Sequence, residues 1–241
     1  ATGAARGAAG AAVSQVVCRV RPCDKPSALV TVHEEEARIQ VGPEHGQHGQ
    51  GDPLAFDRVL AGSNAGGGQE DLFELFRPSI EACLQGASCT VVACGGPQSG
   101  KSYSLSGFFT HGQLHGLAPR AIAALVEALG SGAGGPAVEA SFFELQQDGV
   151  RDLLPKGYPE VPFRELDAPP YCELDARLTV YRCNGAGGLN RLFDTYFTGL
   201  EHRRKGTHTC FQVAIRHPDR APAYLRFVEL AWPRAQAAGA G

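Results

Sequence analysis

The chain reads as an α/β fold with a mostly parallel central sheet and helices on both faces. Three observations predict it. The phosphate-loop pattern G-x-x-x-x-G-K-[ST] is met by Gly95, Gly100, Lys101 and Ser102. An apolar, β-branched run, Thr90 to Cys94, precedes it and a stretch able to open a helix follows it, giving the strand, loop and helix order that the motif requires. Along the rest of the chain, β-rich runs and amphipathic helical patterns succeed one another.

Taken in order, Ala1 to Ala12 is Ala/Gly-rich and buries too little apolar surface to offset its ordering entropy, so it is expected as a tail before one domain over 13–241. Val13 to Pro22 is β-rich and closed by its proline, which predicts a central strand. A hairpin is expected from Leu29–Val32 and Ala37–Val41, then a polar loop, then a strand over Leu54–Leu60. Between Gln69 and Leu84 the residues Leu72, Phe73, Leu75, Phe76, Ile80 and Cys83 share one helical face, Glu70 and Asp71 suit the helix start, and Pro78 predicts a bend.

After the phosphate loop, the Gly/His segment Gly107–Gly116 interrupts the helix, which resumes over Leu117–Leu129. Val138 to Gln146 has the apolar density of a strand, and Arg151–Leu154 reads as a short helical turn before Pro155 and an acidic, proline-rich stretch to Asp175. The clearest helix is Gly187–Arg203, where Leu189, Leu192, Phe193, Tyr196, Phe197 and Leu200 recur every three or four residues and demand a sheet to pack on. Phe211, Val213 and Ile215 alternate with polar residues, His217–Pro222 turns, and Tyr224–Ala231 returns as the second arm of a hairpin.

A net charge of −3 supplies no basic footprint, so composition gives no support to nucleic-acid binding. Eight cysteines in 241 residues fall short of a disulfide scaffold, and Cys18, Cys83, Cys89, Cys94 and Cys210 lie in apolar stretches as small hydrophobes. No C-x-x-C pair exists, and His45, His48, His111 and His115 sit in Gly/Gln-rich loops without acidic or thiolate companions, which argues for solvated histidines over a metal site. No apolar run approaches the ~18 residues of a membrane span and no secretory leader is visible, so a reduced, cytoplasmic setting without membrane contact is expected. The absence of methionine suggests a start inside a longer product or a trimmed start.

The loop's residue types fit phosphate chemistry. Glycines let the backbone approach phosphate oxygens, successive N–H groups form an anion cradle, Lys101 brings a point charge to the β- and γ-phosphates, and the Ser102 hydroxyl is suited to Mg²⁺. The ordinary alternative is a glycine-rich turn with one exposed lysine.

Several stretches together resemble the kinesin motor domain: Val17-Cys-Arg-Val-Arg-Pro22, Phe56-Asp-Arg-Val59, Gly95 to Ser102, Gly116-Leu-Ala-Pro-Arg120, and Ser141-Phe-Phe-Glu-Leu145 with Val150-Arg-Asp-Leu-Leu154. The resemblance implies a P-loop NTPase motor fold that binds ATP or ADP with Mg²⁺. It places Arg19 and Pro22 beside the adenine with Arg21 nearby, Gly95, Gly96, Pro97, Gln98, Ser99, Gly100, Lys101 and Ser102 around the phosphates, Ser102 on the metal, and Tyr103 as a stacking ring for the base. It also implies microtubules or tubulin as partner, with other cytoskeletal proteins as further candidates, and a cytoplasmic, cytoskeletal location.

The chain departs from that family at both switches. The first, N-x-x-S-S-R-S-H, is replaced by Glu201-His-Arg-Arg-Lys-Gly-Thr-His208, where only Thr207-His208 fits, or else by a shortened loop with Gly199 to Arg203 ending the long helix. The second, D-L-A-G-S-E, appears as Glu229-Leu-Ala-Trp-Pro-Arg234. Trp232 replaces the glycine that would sense the γ-phosphate, Pro233 has no N–H, and Arg234 reverses a charge, so no bridge between the switches is expected. Glu229 and Thr207 stand as the switch remnants. The helices that follow the second switch in the family are missing from the sequence.

The expected function is a kinesin-like nucleotide-binding domain that hydrolyses ATP weakly or not at all. Two alternatives stay open: an active microtubule motor completed by elements outside this chain, and a structural scaffold with an empty site.

Overall fold

Hydrophobic alternation on two long strands sets the main sheet. The computed structural model describes residues 14–21, 30–42, 52–61, 68–110, 112–129, 136–167, 172–174, 177–183 and 185–232. They form two units, 1–68 and 69–241. The expected tail, Pro22, His45, His48, His111, Pro233 and Arg234 lie outside the described residues.

In the first unit, β1 (Val17–Val20) runs parallel to β5 (Arg58–Ala61), while β2 (Val30–His33), β3 (Arg38–Val41) and β4 (Leu54–Ala55) form an antiparallel three-stranded sheet. The expected hairpin is present. The strand expected over Leu54–Leu60 is instead two pieces, broken at Phe56, whose N–H donates to the Ala37 carbonyl, and Asp57, whose carboxylate accepts from the Val16 N–H. The strand expected to be central has one described neighbour, β5.

The second unit opens with α1 (Gln69–Leu84), which carries Pro78 inside it, followed by β6 (Cys89–Ala93), α2 (Lys101–Leu105) and α3 (Leu117–Leu129). Then come β7 (Ala137–Leu145), β8 (Gly149–Asp152), β9 (Glu160–Glu165), β10 (Cys172–Leu174), β11 (Tyr181–Cys183), α4 (Gly185–Glu201), β12 (His208–Arg216) and β13 (Ala223–Glu229). The sheet order is β10-β9-β8-β7-β12-β13-β6, with β11 also on β7.

Two features of the expected sheet are corrected. Among the described residues of this sheet only β13 and β6 pair in parallel, and every other pair is antiparallel. Short turns, such as the one joining β12 to β13, can connect only antiparallel neighbours, and β7, β8 and β9 are joined in this way. Arg151 and Asp152, expected in a helical turn, are strand residues because β8 finds partners on both sides.

The second correction concerns the helices. Register puts Phe142, Phe211, Phe227 and Val91 on one face of the sheet. Tyr196 of α4 packs its ring 5.0 Å from Phe142 and 4.4 Å from Phe211, and Ile80 of α1 and Ala121 of α3 meet Val91 and Phe227 on the same face. Gly199 lets α4 settle onto it, since a Cβ there would lie 2.8 Å from the Leu153 carbonyl oxygen. The helices described therefore cover one face, because the apolar stripes of α1, α3 and α4 converge on the same aromatic row. On the other face Val92 is half exposed and Arg226 stacks over Tyr224.

The cysteine reading holds in part. Cys83, Cys183 and Cys210 are buried, Cys18 and Cys89 are half-buried, and Cys94 is exposed where β6 gives way to the loop. Burial pushes the thiols of Cys83 and Cys210 up to about 11, as expected for inert packing groups.

Candidate functional site

The phosphate-loop segment leaves the end of β6, which among the described residues pairs with β13 alone, and turns into α2. Gly95 and Gly100 have φ of 146° and 96°, and Gln98 follows at 59°. A Cβ on Gly95 would meet the Ser99 hydroxyl at 2.6 Å, so the loop closes on itself only with glycine there. Pro97, Gln98 and Ser99 are exposed at its tip, while Gly96, Gly100 and Lys101 are half-buried. Such a glycine-built cradle of main-chain amides fits a nucleotide's phosphates.

Lys101 turns back across this loop, its ammonium donating to the carbonyls of Gly95 and Gly96 at 2.8 Å each. Tyr103 packs beside Phe108 with ring centroids 5.7 Å apart, and its carbonyl accepts from Gln69 Nε2 at 2.6 Å. Arg19 and Arg21 belong to the first unit, Arg19 in register with Leu60 and Arg21 exposed just after β1.

Parallel pairing of β13 with β6 sets Glu229 opposite Ala93, at the entrance to the loop. There Ser102 Oγ donates to Glu229 Oε1 at 2.7 Å. A third group completes the cluster: Arg203, just past the end of α4, donates from Nη1 to Glu229 Oε2 at 2.8 Å and from Nη2 to Ser102 Oγ at 2.9 Å. A link between the two switch registers therefore does form, contrary to expectation, because Glu229 receives Arg203. The two oxygen donors best suited to Mg²⁺ are each already bonded to a guanidinium, and a divalent cation does not fit this arrangement.

Thr207, the other switch remnant, is used elsewhere. Its hydroxyl lies 3.0 Å from Glu144 Oε1 and 2.9 Å from the Arg204 carbonyl. Glu144 is fully buried and also accepts from Arg151 Nη1 at 3.1 Å and from the Arg204 N–H. Arg151 reaches on to the His202 carbonyl at 3.0 Å, and Tyr158 stacks on the His202 ring. The segment from His202 to Thr207 is thus fastened to the sheet.

Past β13, the Leu230 N–H donates to the Ala93 carbonyl and the Ala231 N–H to His208 Nδ1. Trp232 follows, more than half exposed. Sequence reasoning missed Arg203, Glu144 and Arg151 as a group. The E of S-F-F-E and the R of R-D-L-L were visible as motif letters, but nothing in their spacing shows that they close on the segment after α4.

Among the described residues no cluster of histidine, cysteine and carboxylate side chains could hold a metal ion, and no helix is long and apolar enough to cross a membrane.

The family model described as kinesin motor domain matches residues 16–184. Kinesin-like protein KIFC2 of Mus musculus is 34% identical over 148 residues, covering 61% of this chain and 17% of that protein. Its Homo sapiens counterpart is 28% identical over 248 residues, covering 94% of this chain and 27% of that protein. Among solved structures, one described as "Structure of a fast kinesin: Implications for ATPase mechanism and interactions with microtubules" superposes with a TM-score of 0.74 at 22% identity, over 94% of this chain and 68% of that chain. The chain spans about a quarter or less of the two curated relatives.

Proposed function

The chain belongs to the kinesin motor-domain family, and on that premise we propose that it binds ATP or ADP through its phosphate loop and hydrolyses ATP weakly or not at all. One contrast carries this reading. The loop is built, with Gly95 and Gly100 in left-handed conformations and Lys101 lying across it, while Thr207 is spent on Glu144.

In this reading the main-chain N–H groups between Gly95 and Ser102, Pro97 excepted, receive the phosphates, and Lys101 exchanges its carbonyl partners for phosphate oxygens. Arg19, Arg21 and Pro22 take the base side by resemblance to the family, with Tyr103 as a stacking ring. Phosphoryl transfer depends almost wholly on positioned charge and a positioned water. Each lost donor costs on the order of 10²–10³ in rate. Trp232 and Pro233 stand where the family has glycine and serine, and Pro233 has no N–H to donate. Association with microtubules and a cytoplasmic, cytoskeletal place are proposed on the family alone.

A fluorescent ADP analogue titrated into the wild type and Lys101→Ala tests binding, with an affinity loss of at least about tenfold expected in the variant. Single-turnover phosphate release from bound ATP should stay at background. Release that is above background and abolished by Lys101→Ala would establish an active ATPase instead.

A further inference from the structure

The Ser102, Glu229 and Arg203 cluster implies more than weak hydrolysis. We infer that the Arg203 guanidinium serves as a built-in cation in the place of Mg²⁺, so that nucleotide binding by this chain is independent of divalent metal. The inference rests on the reading that the loop binds nucleotide.

Magnesium demands near-octahedral oxygen ligands at about 2.0–2.1 Å and would draw on a hydroxyl and a carboxylate at the loop. Here both already face a guanidinium. Ser102 Oγ gives its single proton to Glu229 Oε1 and accepts from Arg203 Nη2, and Glu229 Oε2 accepts from Arg203 Nη1. A metal within bonding distance of Ser102 Oγ would sit within roughly 5 Å of the Arg203 guanidinium. Two cations at that separation on one carboxylate repel each other.

The arginine is well held for the role. Its side chain is about two-thirds buried and that of Glu229 more so, which keeps their interaction from being screened as an exposed pair would be. Two of the five N–H donors are used in the cluster, and the planar fork is the geometry that suits phosphate oxygens. Arg203 reaches the start of α2 through Ser102, and Lys101, the first residue of α2, turns its ammonium back over the loop. Together they supply the positive charge that a diphosphate requires without a metal.

The test is titration of the fluorescent ADP analogue into the full chain, in excess EDTA and again in millimolar Mg²⁺. The wild type should bind with affinities within about threefold of each other in the two conditions. Arg203→Ala frees Ser102 and Glu229, and should bind at least about tenfold more weakly in EDTA than in Mg²⁺. A wild-type affinity that falls about tenfold or more in EDTA would overturn the inference while leaving nucleotide binding intact. Absence of binding in both conditions would overturn nucleotide binding as well. A wild type indifferent to metal whose Arg203→Ala variant is equally indifferent and equally tight would remove Arg203 from the role. Because the wild-type comparison needs no variant, the inference can be overturned even if Arg203→Ala does not fold.

Discussion

Glu144 on β7 accepts the main-chain N–H of Arg204, sixty residues further along the chain, with its own side chain entirely shut off from solvent. One buried carboxylate thereby fixes both β8, through Arg151, and the segment that follows α4. Glu144→Gln keeps the size and removes the charge that Arg151 answers. Breaking one side of a buried pair strands the other, and a loss of about 2–4 kcal/mol is expected. Urea denaturation would read it, and amide exchange across 202–207 should quicken. Unchanged stability would mean that shape alone holds this segment.

That fastening bears on coupling. A ligand shifts a conformational equilibrium only through its different affinity for the two states. With Thr207 committed to Glu144 and Trp232 in place of the family's glycine, ATP and ADP should bind within about tenfold of each other, a difference under about 1.4 kcal/mol. Paired titrations with non-hydrolysable ATP and ADP analogues check this. Co-sedimentation of the protein with microtubules in each nucleotide should give similar bound fractions, and a large difference would mark a working motor.

Tyr196 joins α4 to the turn after α2. Its hydroxyl lies 2.8 Å from Ser106 Oγ inside the core, and burial pushes the phenol well above its ordinary pKa. Tyr196→Phe leaves the Ser106 hydroxyl buried without this partner, at a cost of about 1–2 kcal/mol. The double variant with Ser106→Ala should recover part of that loss. Equal melting temperatures for the wild type and Tyr196→Phe would show the bond to be worth nothing.

Glu139 makes the acid limb of stability predictable. Burial works against its charge, but hydrogen bonds from Arg216 and Arg182 outweigh it and hold the carboxyl below its ordinary pKa. The folded pKa lies under the unfolded one, so the contribution is present above the usual carboxylate range and is lost as pH falls through the folded value. Arg182 is largely exposed and Arg216 about half exposed, so about 1 kcal/mol at neutral pH is expected. Glu139→Gln should melt lower than the wild type at pH 7, and the gap should close below about pH 4. A gap that persists in acid would assign the effect to packing.

Much of this protein is local enough to be read from its letters. The phosphate loop, the break in helix between Leu105 and Leu117, the helix ending near Glu201 and the β12–β13 hairpin all follow from glycine placement, three-to-four periodicity or alternation. These features are set by neighbours within a few residues, where sterics and amphipathicity act directly. Strand direction escaped that reading, because a buried strand has the same apolar run whichever way its neighbour points. The short strands β8, β9 and β11 escaped too, since they are three to six residues long and their partners supply the order that so short a pattern cannot signal.

The site divides in the same way. Gly95, Gly100, Lys101 and Ser102 lie within eight residues of one another and announce themselves by spacing. Arg203 and Glu229 have no such signature, for they reach Ser102 from 101 and 127 residues away and meet only once α4 and β13 are packed on the same sheet. The sequence alone determined that a phosphate loop exists. Only the tertiary structure decided that a guanidinium stands on its serine, because long-range electrostatic pairing is fixed by where folded elements end.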